Sequence, residues 1–116
     1  MAYTMVIYGG SLAAVRFAAV TGFEWDERNS MKNAKHEVSD REAEQLFVNE
    51  PLVVLEDPGH SANEPRWHAL GRTNESRLLH VTFTLRAGGT RVRIISARPM
   101  HHKERKVYES AAPANP

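Results

Sequence analysis

The 116-residue sequence contains no cysteine. That excludes disulfides and thiolate metal sites, and it permits a reducing, cytoplasmic home. No apolar run approaches the length of a membrane span, so we expect no membrane partner. The start MAYTMVIYGG has no acid and no basic cluster, and the only charge before residue 24 is Arg16, inside the apolar stretch. A secretory signal would need the reverse. A Walker loop, a dinucleotide fingerprint and a Ser-His-Asp arrangement in context are all missing. One domain with one core is what this length allows.

Charge is unevenly spread. Between Arg66 and Lys106 lie ten of the fifteen basic residues but only two of the fourteen acids, Glu75 and Glu104. A basic half beside an acidic half suits a polyanion-binding surface, although two solvated faces that neutralise each other would look the same.

Residues 1–22 carry no dependable periodicity, and Gly9-Gly10 interrupts any helix. We read them as an extension outside the domain, arising from a misplaced start, with Val20 as the true first residue. The competing reading is an extra strand from Thr4 to Tyr8, or a helix from Leu12 to Val20 capped by Ser11. Phe23 to Trp25 reads as a short strand. Asp26 is placed to cap a helix from Glu27 to His36, with Met31, Ala34 and Lys35 at helical spacing. Ser39 and Glu42 form a capping box for a second helix whose buried stripe is Ala43, Leu46 and Phe47. It ends before Pro51.

Strands follow. Leu52 to Leu55 is closed by the turn residues Asp57-Pro58-Gly59, and a loop through Asn63 and Pro65 leads to a strand from Arg66 to Arg72. Thr73 to Ser76 and Ala87 to Thr90 are hairpin turns flanking Leu78 to Leu85. Alternation in that strand sends Leu79, Val81, Phe83 and Leu85 inward and His80, Thr82 and Thr84 outward. In the next strand it puts Arg91 and Arg93 on one face and Val92, Ile94 and Arg98 on the other, unless a bulge intervenes. Ala97, Arg98 and Pro99 break the strand pattern before a helix over His102 to Glu109, and residues 111–116 form a flexible tail. The expected class is α+β: an antiparallel sheet with two N-terminal helices and a C-terminal helix packed on one face.

Six blocks occur in a specific order: FEWD at 23–26, NAKHEVS at 33–39, EDPGHS at 56–61, WHALGR at 67–72, RIISARPM at 93–100 and KERKVYE at 103–109. Together they resemble the BrnT family of bacterial type II toxins over residues 23–110. The resemblance implies a RelE-like fold and an endoribonuclease. It also implies a BrnA-like ribbon-helix-helix antitoxin as partner in a hetero-oligomer, with DNA reached only through the antitoxin. One position departs from the family: Glu37 stands where glycine usually follows the Lys-His pair, at a helix end that favours a left-handed residue.

Metal-free RNA cleavage needs a group to take the 2′-hydroxyl proton, positive charge for the phosphorane, and a donor for the leaving oxygen. Lys35, His36, Arg72 and Arg98 are the candidate catalytic residues. Trp25, Lys32, Arg91, Arg93, Lys103 and Arg105 are the candidate RNA contacts, Trp25 by stacking on a base. Each has a structural alternative. Trp25 fits a core, His36 can serve a helix terminus, Arg72 and Arg98 can pair with acids, and His80 is a weaker proton carrier on a polar face. His101-His102 with Glu104 lacks the i, i+4 spacing of a helical metal site, so no metal or other cofactor is expected. The rival function is a catalytically inactive module that binds RNA or the antitoxin. A further alternative is a basic face that only holds an acidic partner segment.

Overall fold

The computed structural model describes residues 5–8, 21–57 and 66–111. The Leu12–Val20 helix, the Pro58–Gly59 turn, the Asn63–Pro65 loop and the tail beyond 111 lie outside the described residues. In chain order the elements are β1 (Met5–Tyr8), β2 (Gly22–Glu24), α1 (Glu27–Ala34), α2 (Asp40–Gln45) with a 3-10 turn (Leu46–Val48), β3 (Leu52–Asp57), β4 (Arg66–Arg72), β5 (Leu78–Arg86), β6 (Arg91–Pro99) and α3 (His102–Ala111). The class is α+β.

The strands form one sheet in the order β1-β3-β4-β5-β6-β2. Neighbours from β1 through β6 are antiparallel, but β2 runs parallel to β6, with Phe23 opposite Val92. The sheet is therefore mixed, not antiparallel throughout. Short turns impose antiparallel pairing only on sequential strands, and β2 reaches β6 from far along the chain. The strand at Met5–Tyr8 is the extra one that the alternative reading of the N-terminus placed there.

Local chemistry explains the turns and caps. Asp26 accepts the backbone N–H groups of Arg28 and Asn29, and Ser39 and Glu42 complete the reciprocal capping box. Thr73 organises the β4–β5 turn: its hydroxyl accepts from Glu75 and Arg77 N–H groups while its own N–H donates to the Arg77 carbonyl. Glu37 has φ +58°, so the left-handed position expected there is occupied by an acid. Arg77 secures this bend, donating to the Glu37 carbonyl at 2.6 Å and to the Glu42 carboxylate at 3.1 Å.

The main core lies between the sheet and α1–α2. Ala43, Leu46, Ala69, Leu79, Val81, Phe83, Ile94 and Ala97 are fully buried. Phe47 meets Phe83 edge-on at 5.1 Å. Gly71 lets β4 pass under Leu46: a Cβ there would lie 2.9 Å from Leu46 Cγ. The sheet-facing side of α1 is polar, contrary to its expected stripe, and Met31 and Ala34 are exposed. Asn29 and Asn33, one turn apart, run along β6 beyond the end of β2. Asn29 donates to the Ile94 carbonyl and Asn33 accepts the Ala97 N–H at 2.7 Å. The helix thus finishes a ladder that the short strand leaves open.

Two further expectations fail on the second face of the sheet. The C-terminal helix does not join α1 and α2 but packs opposite them, with Met100 and Tyr108 against Val53 and Leu70. The Tyr108 hydroxyl donates to the Pro51 carbonyl at 2.8 Å. His80, Thr82 and Thr84, assigned outward by alternation, lie at 8%, 8% and 1% exposure. Their direction was right, but the face they occupy is not solvent.

Candidate functional site

The register of β6 shifts between its pairs with Thr82 and Phe83: Thr82 faces Ser96, Phe83 faces Ile94, and Ile95 has no counterpart. This bulge reverses the alternation beyond it. Val92, Ile94 and Ala97 all enter the main core, while Ser96 and Arg98 join Arg91 and Arg93 on the opposite face. Without the extra residue Arg98 would point at α1 and α2.

On that face Leu55, His68, His80, Thr82, Ser96, Arg98 and Glu104 line a cavity of about 510 Å³. Register places the two histidines: Leu70 faces His80 and His68 faces Thr82 across β4–β5, so the rings stand 5.1 Å apart. His68 Nε2 lies 3.0 Å from Asp57 Oδ2 and its Nδ1 lies 3.1 Å from Thr82 Oγ1. In one tautomer Nε2–H donates to the carboxylate while Nδ1 accepts from the threonine hydroxyl.

Arg98 and Glu104 form the charged wall. The two guanidinium nitrogens donate to the two carboxylate oxygens, both at 2.8 Å, and the His101 N–H adds a third bond at 2.7 Å. Burial pushes the Glu104 carboxyl up. The bonds from Arg98 and His101, with the nearby His80 and the Arg98 charge, outweigh this and hold it at about 2. His80 Nε2 is 3.9 Å from Glu104 Oε2. Burial first, then the Arg98 charge, brings His80 down to about 4, so its ring is neutral near pH 7. Its Nδ1 is buried and has no hydrogen-bond partner among the described residues.

Of the candidate catalytic and RNA-contact residues described, only Arg98 lines the cavity. Arg72 ends β4 two pairs from the His80–Arg98 pairing, exposed, with Nε on the Glu50 carbonyl. Lys35 and His36 are exposed at the C-terminal end of α1; the Arg77 bond to the His36 carbonyl places them at this same end of the sheet. Among the described residues their side chains form no hydrogen bond or ion pair with Arg72 or Arg98. Arg91, Lys103 and Arg105 are exposed, and Arg93 pairs with Asp26 at 3.5 Å. Lys32 belongs to α1, but its side chain lies outside the described residues. Trp25 packs half-buried on the main core, its indole N–H donating to Glu44 at 2.6 Å, away from the cavity.

Sequence reasoning passed over His68 and gave His80 little weight. Both sit at alternating positions of paired strands, and aligning WHALGR against LLHVTFT across the Thr73–Ser76 turn would have juxtaposed them.

These features define a small α+β protein that presents a polar, arginine-bearing sheet face beneath a C-terminal helix. The family model described as "Ribonuclease toxin, BrnT, of type II toxin-antitoxin system" matches residues 25–104, and the chain belongs to that family. An antitoxin partner and an RNA target go with it. The crystal structure of the Brucella abortus ribonuclease toxin BrnT has a similar fold, with a TM-score of 0.50 and 23% identity, covering 72% of this chain and 100% of that one. Comparison with curated proteins yields no match.

Proposed function

We propose that this toxin is a metal-independent endoribonuclease that acts in the cytoplasm and arrests growth until its antitoxin covers the RNA surface. The proposed antitoxin is a BrnA-like ribbon-helix-helix protein that forms a hetero-oligomer with the toxin and alone contacts DNA. The proposed fold kinship is with RelE-like toxins.

The observation that carries this reading is the convergence of Arg98, His80, His68, Thr82 and Ser96 on one cavity, at the end of the sheet shared by Arg72, Lys35 and His36. The chain's own groups can then meet each demand of RNA cleavage. Arg98 grips the scissile phosphate and stabilises the phosphorane, with Arg72 adding charge. His80, neutral in its buried setting, takes the 2′-hydroxyl proton as the 2′ oxygen attacks phosphorus. The bond from phosphorus to the 5′ oxygen breaks, and His36 in its protonated form supplies the proton to that oxygen, with Lys35 beside it. The products are a 2′,3′-cyclic phosphate, which water can open to a 3′-phosphate, and a 5′-hydroxyl.

Arg91, Arg93, Lys103 and Arg105 are proposed to hold the flanking backbone, a contribution that should weaken as salt rises. Trp25 is left out of this surface because its indole N–H is committed to Glu44. Incubation of the purified protein with a defined RNA in excess chelator tests the reading. Cleavage is expected, and intact RNA would overturn it.

A further inference from the structure

The guanidinium proposed to grip RNA is not open. Glu104 engages Arg98 through two parallel bonds, both 2.8 Å, the same fork that guanidinium makes with two oxygens of a phosphate. The cavity's charged and titratable groups explain why this matters. Arg98 is offset by Glu104, His80 is neutral near pH 7, and the remaining ring, His68, leans on the Asp57 carboxylate. An approaching phosphodiester therefore finds a neutralised site.

Glu104 is also well placed to leave. It is held at the first turn of α3, whereas the helix is anchored one turn later by Tyr108 in its apolar contact with Val53 and Leu70. A rotation of the Glu104 side chain would open the fork without undocking the helix. The space would then be bordered by Arg98, the hydroxyls of Ser96 and Thr82, and the edge of His80.

We propose that Glu104 is an internal stand-in for a phosphodiester: its carboxylate occupies the RNA-phosphate seat on Arg98, and RNA must displace it to reach the cavity. This rests on the reading that Arg98 meets the scissile phosphate. The contact keeps the free toxin in a low-affinity closed state. Protonation does not release it near neutral pH, because the carboxyl titrates at about 2; competition by another anion does.

The test is fluorescence anisotropy of a short 2′-O-methyl RNA, which cannot undergo 2′ attack, with the full chain and the variants Glu104→Gln, Arg98→Ala and the double substitution. Glu104→Gln should bind about two- to fivefold more tightly, the scale of a partly exposed ion pair released. That gain should disappear in the Arg98→Ala background. Glu104→Asp, which keeps the charge and helix-start preference but is too short to fork, should also bind more tightly and serves if Glu104→Gln does not fold. Unchanged or weaker binding in the Glu104 variants, with Arg98→Ala still weakened, would overturn the stand-in and leave the ribonuclease reading intact. A gain of equal size without Arg98 would reduce the effect to removal of a negative charge and overturn it too. Arg98→Ala binding as tightly as the wild type would remove the phosphate from Arg98, and both readings of the site would fall.

Discussion

Asn33 is one of two asparagines through which α1 holds the arginine strand, and its replacement offers a sharp test of the fold. It is fully buried, and its Oδ1 accepts the Ala97 N–H at 2.7 Å, immediately before Arg98. Among the described residues its Nδ2 has no hydrogen-bond partner. Asn33→Ala strands the Ala97 N–H in the interior, which costs about 1–3 kcal/mol, partly offset because an unpaired amide N–H₂ is removed as well. A net loss of roughly 1–2 kcal/mol is expected.

Asn33→Asp behaves differently. Its acid form can still accept from Ala97, but its ionised form buries a charge with no donor for the second oxygen, in the last turn of a helix where negative charge is disfavoured. The folded-state pKa of the new carboxyl must then lie above its unfolded value of about 3.9. A raised folded pKa means that the protonated form is favoured in the fold. The variant should therefore be most nearly native below pH 4 and lose stability as pH rises towards the folded pKa. Above that value it should be less stable than Asn33→Ala. Urea denaturation followed by circular dichroism from pH 4 to pH 8 reads this directly. A pH-independent gap between Asn33→Asp and wild type, or wild-type stability at pH 8, would refute the buried hydrogen bond.

Gly71→Ala should lower stability by about 1–3 kcal/mol, since the added methyl would lie 2.9 Å from Leu46 Cγ and 3.4 Å from its Cβ and Cδ2, inside a packed core; a thermal melt checks it. His80 should make stability depend on pH in the opposite sense to the Asn33→Asp carboxyl. Its folded pKa, about 4, lies below the ordinary value of 6.5, so its neutral burial stabilises fully above 6.5 and that contribution is lost as pH falls towards 4. The upper bound on this loss is about 3 kcal/mol. His80→Phe should flatten the fall in denaturant midpoint across that window.

Much of the architecture could be read from local chemistry. Asp26, Ser39 and Glu42 announce their helix starts through short side chains that answer free N–H groups, and the residues of both β-hairpins mark their own turns. Long-range pairing was hidden for physical reasons. Nothing local in Gly22–Glu24 says that this strand lies parallel to β6, and nothing in Ile95 says that it is the unpaired residue. Because strand alternation has period two, that one residue reverses the face of Arg98. The side of the sheet chosen by α3 depends on Met100 and Tyr108 finding Val53 and Leu70, a contact between distant segments. The candidate site follows the same division. Arg98 stood out within its block, whereas His68, His80 and Glu104 become a group only when three strands and α3 are assembled.

The central claim is that the chain's own side chains, with Arg98 at the centre, cleave RNA. The most direct measurement compares purified wild-type protein and Arg98→Ala on one defined RNA in excess chelator, with the product ends identified. The account predicts cleavage by the wild type leaving cyclic phosphate or 3′-phosphate ends, and a loss of at least about a hundredfold in the variant, the scale of removing one transition-state charge contact. Cleavage that stops with chelator, or that proceeds undiminished in Arg98→Ala, would contradict it.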